Sequence, residues 1–261
     1  MTDFIFQTHP WSFALGFAIC MSVAIESGFR LGRRSSASAD QRVNIHAVEA
    51  AILVILALLL GFTMSMAVSR FETRRQLILD EANAIATSHL RAQLLPAPEG
   101  PEIAGLLRQY VDSRLVYFRA GNDERALGAA RAETARLHKS IWLRVNALMQ
   151  KDNRSVPAGV LVQSLNNAFD LEDAGWAMLI SHVPETVVLL NVAVSLLTAM
   201  FVGYSFGLSG RRHAFSAVML AISVTIVLGA IVDLDQPRAG FIRVSRQPMI
   251  DLQKELSSAD H

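Results

Sequence analysis

Two glutamates lie inside otherwise apolar stretches of the sequence, where an ionisable side chain usually has a function. Glu26 comes late in the apolar run 12–29, and Glu49 comes early in the run 47–68. If both runs cross a membrane, the two carboxylates lie near the same face and form an ion-coordinating or proton-relaying pair. The simpler interpretation, which we favour, pairs Glu26 with Arg30 one helical turn later and leaves Glu49 at the interface.

Two aspartates stand at the end of another apolar run, in the sequence VDLDQPRAG. Asp233 and Asp235 together with backbone oxygens have the chemistry of a calcium site. Two carboxylates are few for a dedicated site, so we predict no bound metal. We expect these side chains instead to form interfacial ion pairs with Arg70, Arg74 or Arg75.

No catalytic motif stands in a context that supports catalysis. There is no HExxH and no phosphate-binding GxxxxGK[ST] loop, and the seven histidines are scattered. The one match to GxSxG, GYSFG at residues 203–207, lies inside an apolar run of membrane-spanning length. The single cysteine, Cys20, excludes an internal disulfide. A net charge of +1 gives no basic footprint for nucleic acid. The sequence therefore predicts no enzyme, no cofactor and no nucleic-acid partner.

Hydrophobicity indicates a membrane protein. Of the 261 residues, 52% are hydrophobic and 18% are charged, which is too apolar for an ordinary soluble chain. Four runs reach the length of about 20 residues that a bilayer core requires. They are residues 12–29, 47–68, 186–208 and 214–232.

The segments between the runs have helical periodicity. We predict an all-α polytopic membrane protein with four transmembrane helices in two hairpins and a helical soluble domain between them. The predicted domains are a first hairpin, a central domain continuous with the second span, a second hairpin and a tail packing on the central domain. Their limits are 1–69, 70–183, 184–233 and 234–261.

The second apolar run passes into charged sequence without a break. In LGFTMSMAVSRFETRRQ no glycine or proline separates the apolar part from Arg70 and the residues after it. Apolar residues continue at helical spacing through Ile78, Ala82 and Ile85. The sequence predicts one helix from about residue 47 to about residue 94.

Polar and small residues in the third run suggest how the spans pack. Asn191 is expected to hydrogen-bond to a neighbouring helix, and Gly203 and Gly207 have the spacing that lets two helices approach closely.

Three segments resemble a known family. They are GFTMSMAVSRFETRRQLILDEANAIATSHLRAQLLP, LLRQYVDSRL and VDLDQPRAGFIRVSRQPM. Together they resemble the bestrophin-like domain family of bacterial membrane proteins, and LGFTMSMAVSRF alone is similar to the second transmembrane helix of the bestrophin anion channels.

The resemblance implies a function and a set of pore residues. It implies an oligomeric, anion-conducting channel in the bacterial inner (cytoplasmic) membrane, with lipid, small ions and further copies of itself, as a pentamer, for partners. In bestrophins the second helix forms a narrow apolar neck, and the matching positions here are Val54, Leu58 and Phe62. Such rings gate by dewetting. Equally, apolar residues at this spacing face lipid or a neighbouring helix in any second span.

Other functions and both orientations remain open. A non-conducting scaffold or sensor would use the central domain to bind a partner, and a proton-coupled transporter would use Glu26 and Glu49. Arginines flank the spans on both sides, so the charge bias gives no orientation.

Overall fold

The computed structural model describes residues 10–36, 38–121, 123–152, 154–236 and 240–258. All regular structure in this described part is α-helical, which confirms the predicted fold class. The eight helices are α1 (Pro10–Arg34), α2 (Ala39–Ala92), α3 (Glu99–Arg119), α4 (Glu124–Lys151), α5 (Val156–Ile180), α6 (Glu185–Ser209), α7 (Ala214–Asp235) and α8 (Gln247–Ser258).

The chain divides into two units. The first, the membrane unit, comprises Met1–Phe71 and His182–Arg243, and the second, the helical unit, comprises Glu72–Ser181 and Val244–His261. Four helices are long and apolar enough to cross a membrane, namely α1, α2, α6 and α7. The number and order of the spans therefore agree with the sequence prediction.

Helix α2 is continuous from Ala39 to Ala92, as predicted for its middle and far end. No glycine, proline or positive backbone φ interrupts it between residues 66 and 74. It begins earlier than predicted because Ser38 and Gln41 form a capping box. The Ser38 N–H donates to Gln41 Oε1 at 2.8 Å, and the Gln41 N–H donates to Ser38 Oγ at 3.3 Å.

Glycines set the packing of α1 against α6 in the membrane unit. A Cβ added to Gly203 would lie 2.1 Å from the Ile25 carbonyl oxygen, and one on Gly207 would lie 2.3 Å from that of Phe29. The expectation of a close approach at these glycines is confirmed. The facing glycines of α1, Gly28 and Gly32, meet α6 equally closely, at 1.9 and 2.2 Å from carbonyl oxygens.

The helical unit has a core of its own. Helices α3, α4, α5 and α8 pack with the later part of α2, and each contributes apolar residues at helical spacing. The buried set includes Ile85, Leu107, Ile141, Leu165 and Leu252. Asp123 caps α4 by accepting from two backbone N–H groups, and Ser155 caps α5. The C-terminal helix α8 therefore belongs to this core.

Candidate pore-lining surface and its surroundings

The three neck candidates form one exposed stripe on α2. Val54, Leu58 and Phe62 are 68%, 56% and 66% exposed, whereas Leu56 and Leu60, on the other side of the helix, are 2% and 7% exposed. The buried side packs into the core of the membrane unit. The stripe is thus a surface that the core of the membrane unit leaves uncovered.

Exposed polar residues follow the stripe along the same helix. Ser65 and Ser69 are exposed at the next helical positions after Phe62. In the helical unit, Gln76 and Asn83 are exposed on the later part of α2. These four residues give the exposed face of α2 polar groups after Phe62, although Leu90, farther along the same face, is an exposed apolar residue.

A buried hydrogen bond fixes the rotation of α2 next to the stripe. Asn191 Nδ2 donates to Thr63 Oγ1 at 2.9 Å and to the Val187 carbonyl at 2.9 Å. Thr63 Oγ1 in turn donates to the Leu59 carbonyl at 2.8 Å. Both side chains are almost fully buried. The prediction that Asn191 joins two helices is confirmed, and the bond turns the adjacent Phe62 away from the core.

The two glutamates of the apolar runs, Glu26 and Glu49, have separate basic partners. Glu26 accepts from Arg30 Nε at 2.8 Å and from Arg212 at 3.2 Å. Glu49 lies 3.2 Å from the Nδ1 atom of His46. The simpler interpretation of Glu26 as the partner of Arg30 is therefore confirmed, with Arg212 as a second partner that the sequence did not indicate.

The two aspartates bind backbone groups. Asp233 accepts from the N–H groups of Phe241 and Ile242, at 2.8 and 2.9 Å. Asp235 Oδ2 accepts from the Val183 N–H at 2.8 Å and lies 3.3 Å from His182 Nδ1. These bonds connect the end of α7 to the segments that precede α6 and follow α7. The residues 237–239 between them lie outside the described part of the chain.

The arginines after the second span have different surroundings. Arg74 is buried in the helical unit and donates to the carbonyl oxygens of Met178 and Ser181. Arg75 is exposed and pairs with Glu72 at 3.2 Å, whereas Arg70 is half-buried. The pairing of Asp233 or Asp235 with these arginines stays a prediction.

A buried ionic cluster in the helical unit was missed by the sequence analysis. Arg114 donates to both oxygens of Glu81, at 2.6 and 3.0 Å, and to Glu172 at 3.3 Å. Tyr110 donates to the same Glu81 at 3.2 Å. The neighbouring carboxylates raise the pKa of Arg114, and burial raises the pKa of Glu172 and of Tyr110. The sequence contains one indication of this cluster, because Tyr110 and Arg114 lie one helical turn apart in LLRQYVDSRL.

Among the described residues, no group of three or more His, Cys, Asp or Glu side chains could hold a metal ion. Asp233 and Asp235 accept hydrogen bonds from backbone N–H groups with carboxylate oxygens that a cation would need as ligands.

Comparison with known proteins agrees with this architecture. One similar solved structure is that of a bacterial Bestrophin homolog from Klebsiella pneumoniae, with 16% sequence identity and a TM-score of 0.68. The match covers 94% of this chain and 96% of that chain. A variant of the Klebsiella pneumoniae homolog is 16% identical with coverages of 94% and 95% and a TM-score of 0.71. No protein of curated function matches the chain.

The family assignment comes from the sequence itself. The model of the Bestrophin-like domain matches residues 15–249, which is most of the chain and includes α2, both later spans and the start of α8. The chain therefore belongs to the bestrophin-like family.

Proposed function

We propose that this protein is an oligomeric ion channel whose second transmembrane helix lines the pore. The observation that carries the proposal is the exposed stripe of Val54, Leu58 and Phe62 on a helix whose other side is buried. A ring of protomers with α2 inward places these side chains around one axis. Membership of the bestrophin-like family supports the arrangement, and a pentamer is the number that the family resemblance favours.

The stripe would act as a hydrophobic constriction. A hydrated ion loses water in a narrow apolar ring without gaining ligands, so bulky rings impede ions and smaller side chains widen and wet the pore. The serines that follow Phe62 on α2 would line a wetter section, because their hydroxyls hydrogen-bond water or ions. We propose anion conduction, on the strength of the resemblance to bestrophins.

One observation favours a second candidate, a membrane scaffold or sensor. The helical unit has a cavity of about 740 Å³, lined mainly by the polar residues Asp80, Asn83, Thr87, Arg91, Gln163, Ser164, Asn166, Asn167 and Asp170. Such a polar recess on a unit with its own core fits a binding role. In this case the spans would anchor the chain without conducting.

The test is ion flux through the purified protein in liposomes. Phe62→Ala should raise the flux while leaving the oligomer intact on size exclusion, because it shortens the largest side chain of the constriction. Phe215→Ala is the matched control, since Phe215 is also highly exposed, on α7.

Three results can be separated. Equal flux from the parent and both variants would mean that Phe62 faces lipid. Loss of the oligomer in Phe62→Ala would mean that the ring packs between subunits. An intact oligomer that never conducts would leave the scaffold as the better function.

A further inference from the structure

An apolar cavity lies between α1 and α7 in the membrane unit. Its volume is about 390 Å³, within the range of about 300–1,000 Å³ that small-molecule sites have. Small side chains make the room, because Ala18 and Ser22 of α1 and Ala217 and Ala221 of α7 all line the cavity. The remaining apolar walls come from Ile25, Phe29, Phe206, Val218, Ile222 and Ile226.

The cavity has the length of one leaflet of a bilayer. Its walls on α1 extend from Ala18 to Phe29. At a rise of about 1.5 Å per residue this stretch is roughly 16 Å long. The hydrocarbon core of a bilayer is about 30 Å thick, so one leaflet is about half of that. An extended acyl chain lying along the two helices fits this space.

One end of the cavity is charged. Glu26 and Arg212 both line it, and they are joined by two contacts of 3.2 Å. The Arg212 guanidinium also lies over the Phe29 ring, 4.7 Å from its centroid. The Arg212 side chain is 65% exposed. An exposed ion pair contributes little to stability, so a competing anion can replace the carboxylate.

Positive charge predominates at this end. The last turns of α1 and the loop after α6 carry five arginines against Glu26, and the start of α2, at the same face, adds Arg42 with Asp40 and Glu49. The five arginines are Arg30, Arg33, Arg34, Arg211 and Arg212. The first turn of α7, which starts here, has no side-chain cap. Its free N–H groups and the helix dipole add to the attraction for an anion.

We propose that this cavity binds an anionic glycerophospholipid. One acyl chain lies between α1 and α7, and the phosphate accepts hydrogen bonds from Arg212 and Arg30 in competition with Glu26. The apolar walls explain why the occupant is a lipid, and the arginine surplus explains why its headgroup is anionic. This site is independent of ion conduction.

The experiment measures lipid retention by the full-length protein. The protein is exchanged into nanodiscs containing phosphatidylglycerol or phosphatidylcholine, extracted in mild detergent, and its bound lipids are counted by native mass spectrometry. Phosphatidylglycerol should be retained in preference to phosphatidylcholine. The preference should fall roughly fivefold in Arg212→Ala, because one basic residue near a membrane surface contributes about that factor.

Further variants separate the contribution of the apolar cavity to lipid binding from that of its charged end. Ala217→Leu fills the cavity and should reduce retention of both lipids, whereas Glu26→Gln removes the competing carboxylate and should strengthen the preference. Arg136→Ala is the control, because Arg136 is an equally exposed arginine that pairs with a glutamate elsewhere, in the helical unit. Arg136→Ala should change neither the retention of the two lipids nor the preference for phosphatidylglycerol.

Several outcomes would overturn the proposal. Equal retention of the two lipids by the parent would exclude a specific anionic site, and unchanged retention in Ala217→Leu would exclude the cavity. Displacement of the lipid by millimolar inorganic phosphate would assign the arginines to a free anion. If Arg212→Ala does not fold, the Glu26→Gln result decides, since no gain in preference there contradicts the competition.

Discussion

Arg114 is the residue whose surroundings give the sharpest expectation. It is buried in the helical unit with two carboxylates, Glu81 and Glu172, and its guanidinium lies over the rings of Tyr117 and Phe118. Removing one member of a buried ionic group leaves its partner charged and unpaired, which costs more than the ion pair itself contributes.

Arg114→Met should therefore lower the free energy of unfolding by about 3–5 kcal/mol. The measurement is denaturant unfolding in detergent, followed by circular dichroism. Arg136→Met, which breaks an exposed pair, should have no measurable effect. Adding Glu81→Gln to Arg114→Met should restore part of the loss, and a double variant no more stable than the single one would contradict this account.

His138 makes the stability of the helical unit depend on pH. Burial lowers its pKa to about 4 from the usual 6.5, with Arg114 acting in the same direction and Asp173 opposing. Below pH 6.5 the unfolded chain binds a proton that the folded chain binds only near pH 4. Stability should therefore fall as the pH falls through this window.

His138→Phe should reduce that pH dependence. The imidazole packs against Phe169, with ring centroids 3.7 Å apart, and its Nε2 atom is buried without a hydrogen-bond partner. A phenyl ring fills the same flat space without titrating. Melting temperatures of the two proteins between pH 7 and pH 4 give the comparison. The raised pKa of Glu172 affects the parent and the variant equally. If the melting temperatures of the two proteins change with pH in parallel, His138 is not the source of the pH dependence.

At the scale of the element, close helix packing decides which glycines are required. Gly28→Ala should separate α1 from α6, since its Cβ would lie 1.9 Å from the Met200 carbonyl oxygen. Gly16→Ala in the same helix meets nothing within 4 Å and should be tolerated. Thermal stability in detergent, with size exclusion, measures both. Equal stability of the two variants would show that the spans can move apart without cost.

The sequence predicts elements better than it predicts their partners. The four spans and the continuous α2 follow from hydrophobic run length and from the absence of helix-breaking residues, which are local properties. Gly203 and Gly207 indicate a close approach, but nothing local says that Gly28 and Gly32 face them. The Glu81–Arg114–Glu172 cluster joins three helices distant in sequence, so only the tertiary fold reveals it.

At the scale of the molecule, the two units differ in what they leave uncovered. The helical unit buries most of its large apolar residues in one main core and a smaller cluster around Tyr117, although a few, such as Leu94 and Leu143, are exposed. The membrane unit leaves many large apolar side chains exposed on its spans, among them Leu15, Val54, Phe62 and Leu197. Either lipid or a second copy of the chain would cover such surfaces. Exposure alone does not distinguish a side chain that faces lipid from one that faces another copy of the chain. The flux comparison of Phe62 with Phe215 makes that distinction.

The unbroken helix α2 also restricts how this family member can change in length. Thr63 and Glu81 lie on one helix, each fixed by a buried hydrogen bond. Because each residue turns a helix by about 100°, deleting one residue between them would change the angle between these two side chains around the helix axis by about 100°. With no loop between them to absorb the change, about seven residues, two whole turns, is the smallest deletion or insertion that keeps the two side chains at nearly the same angle around the axis.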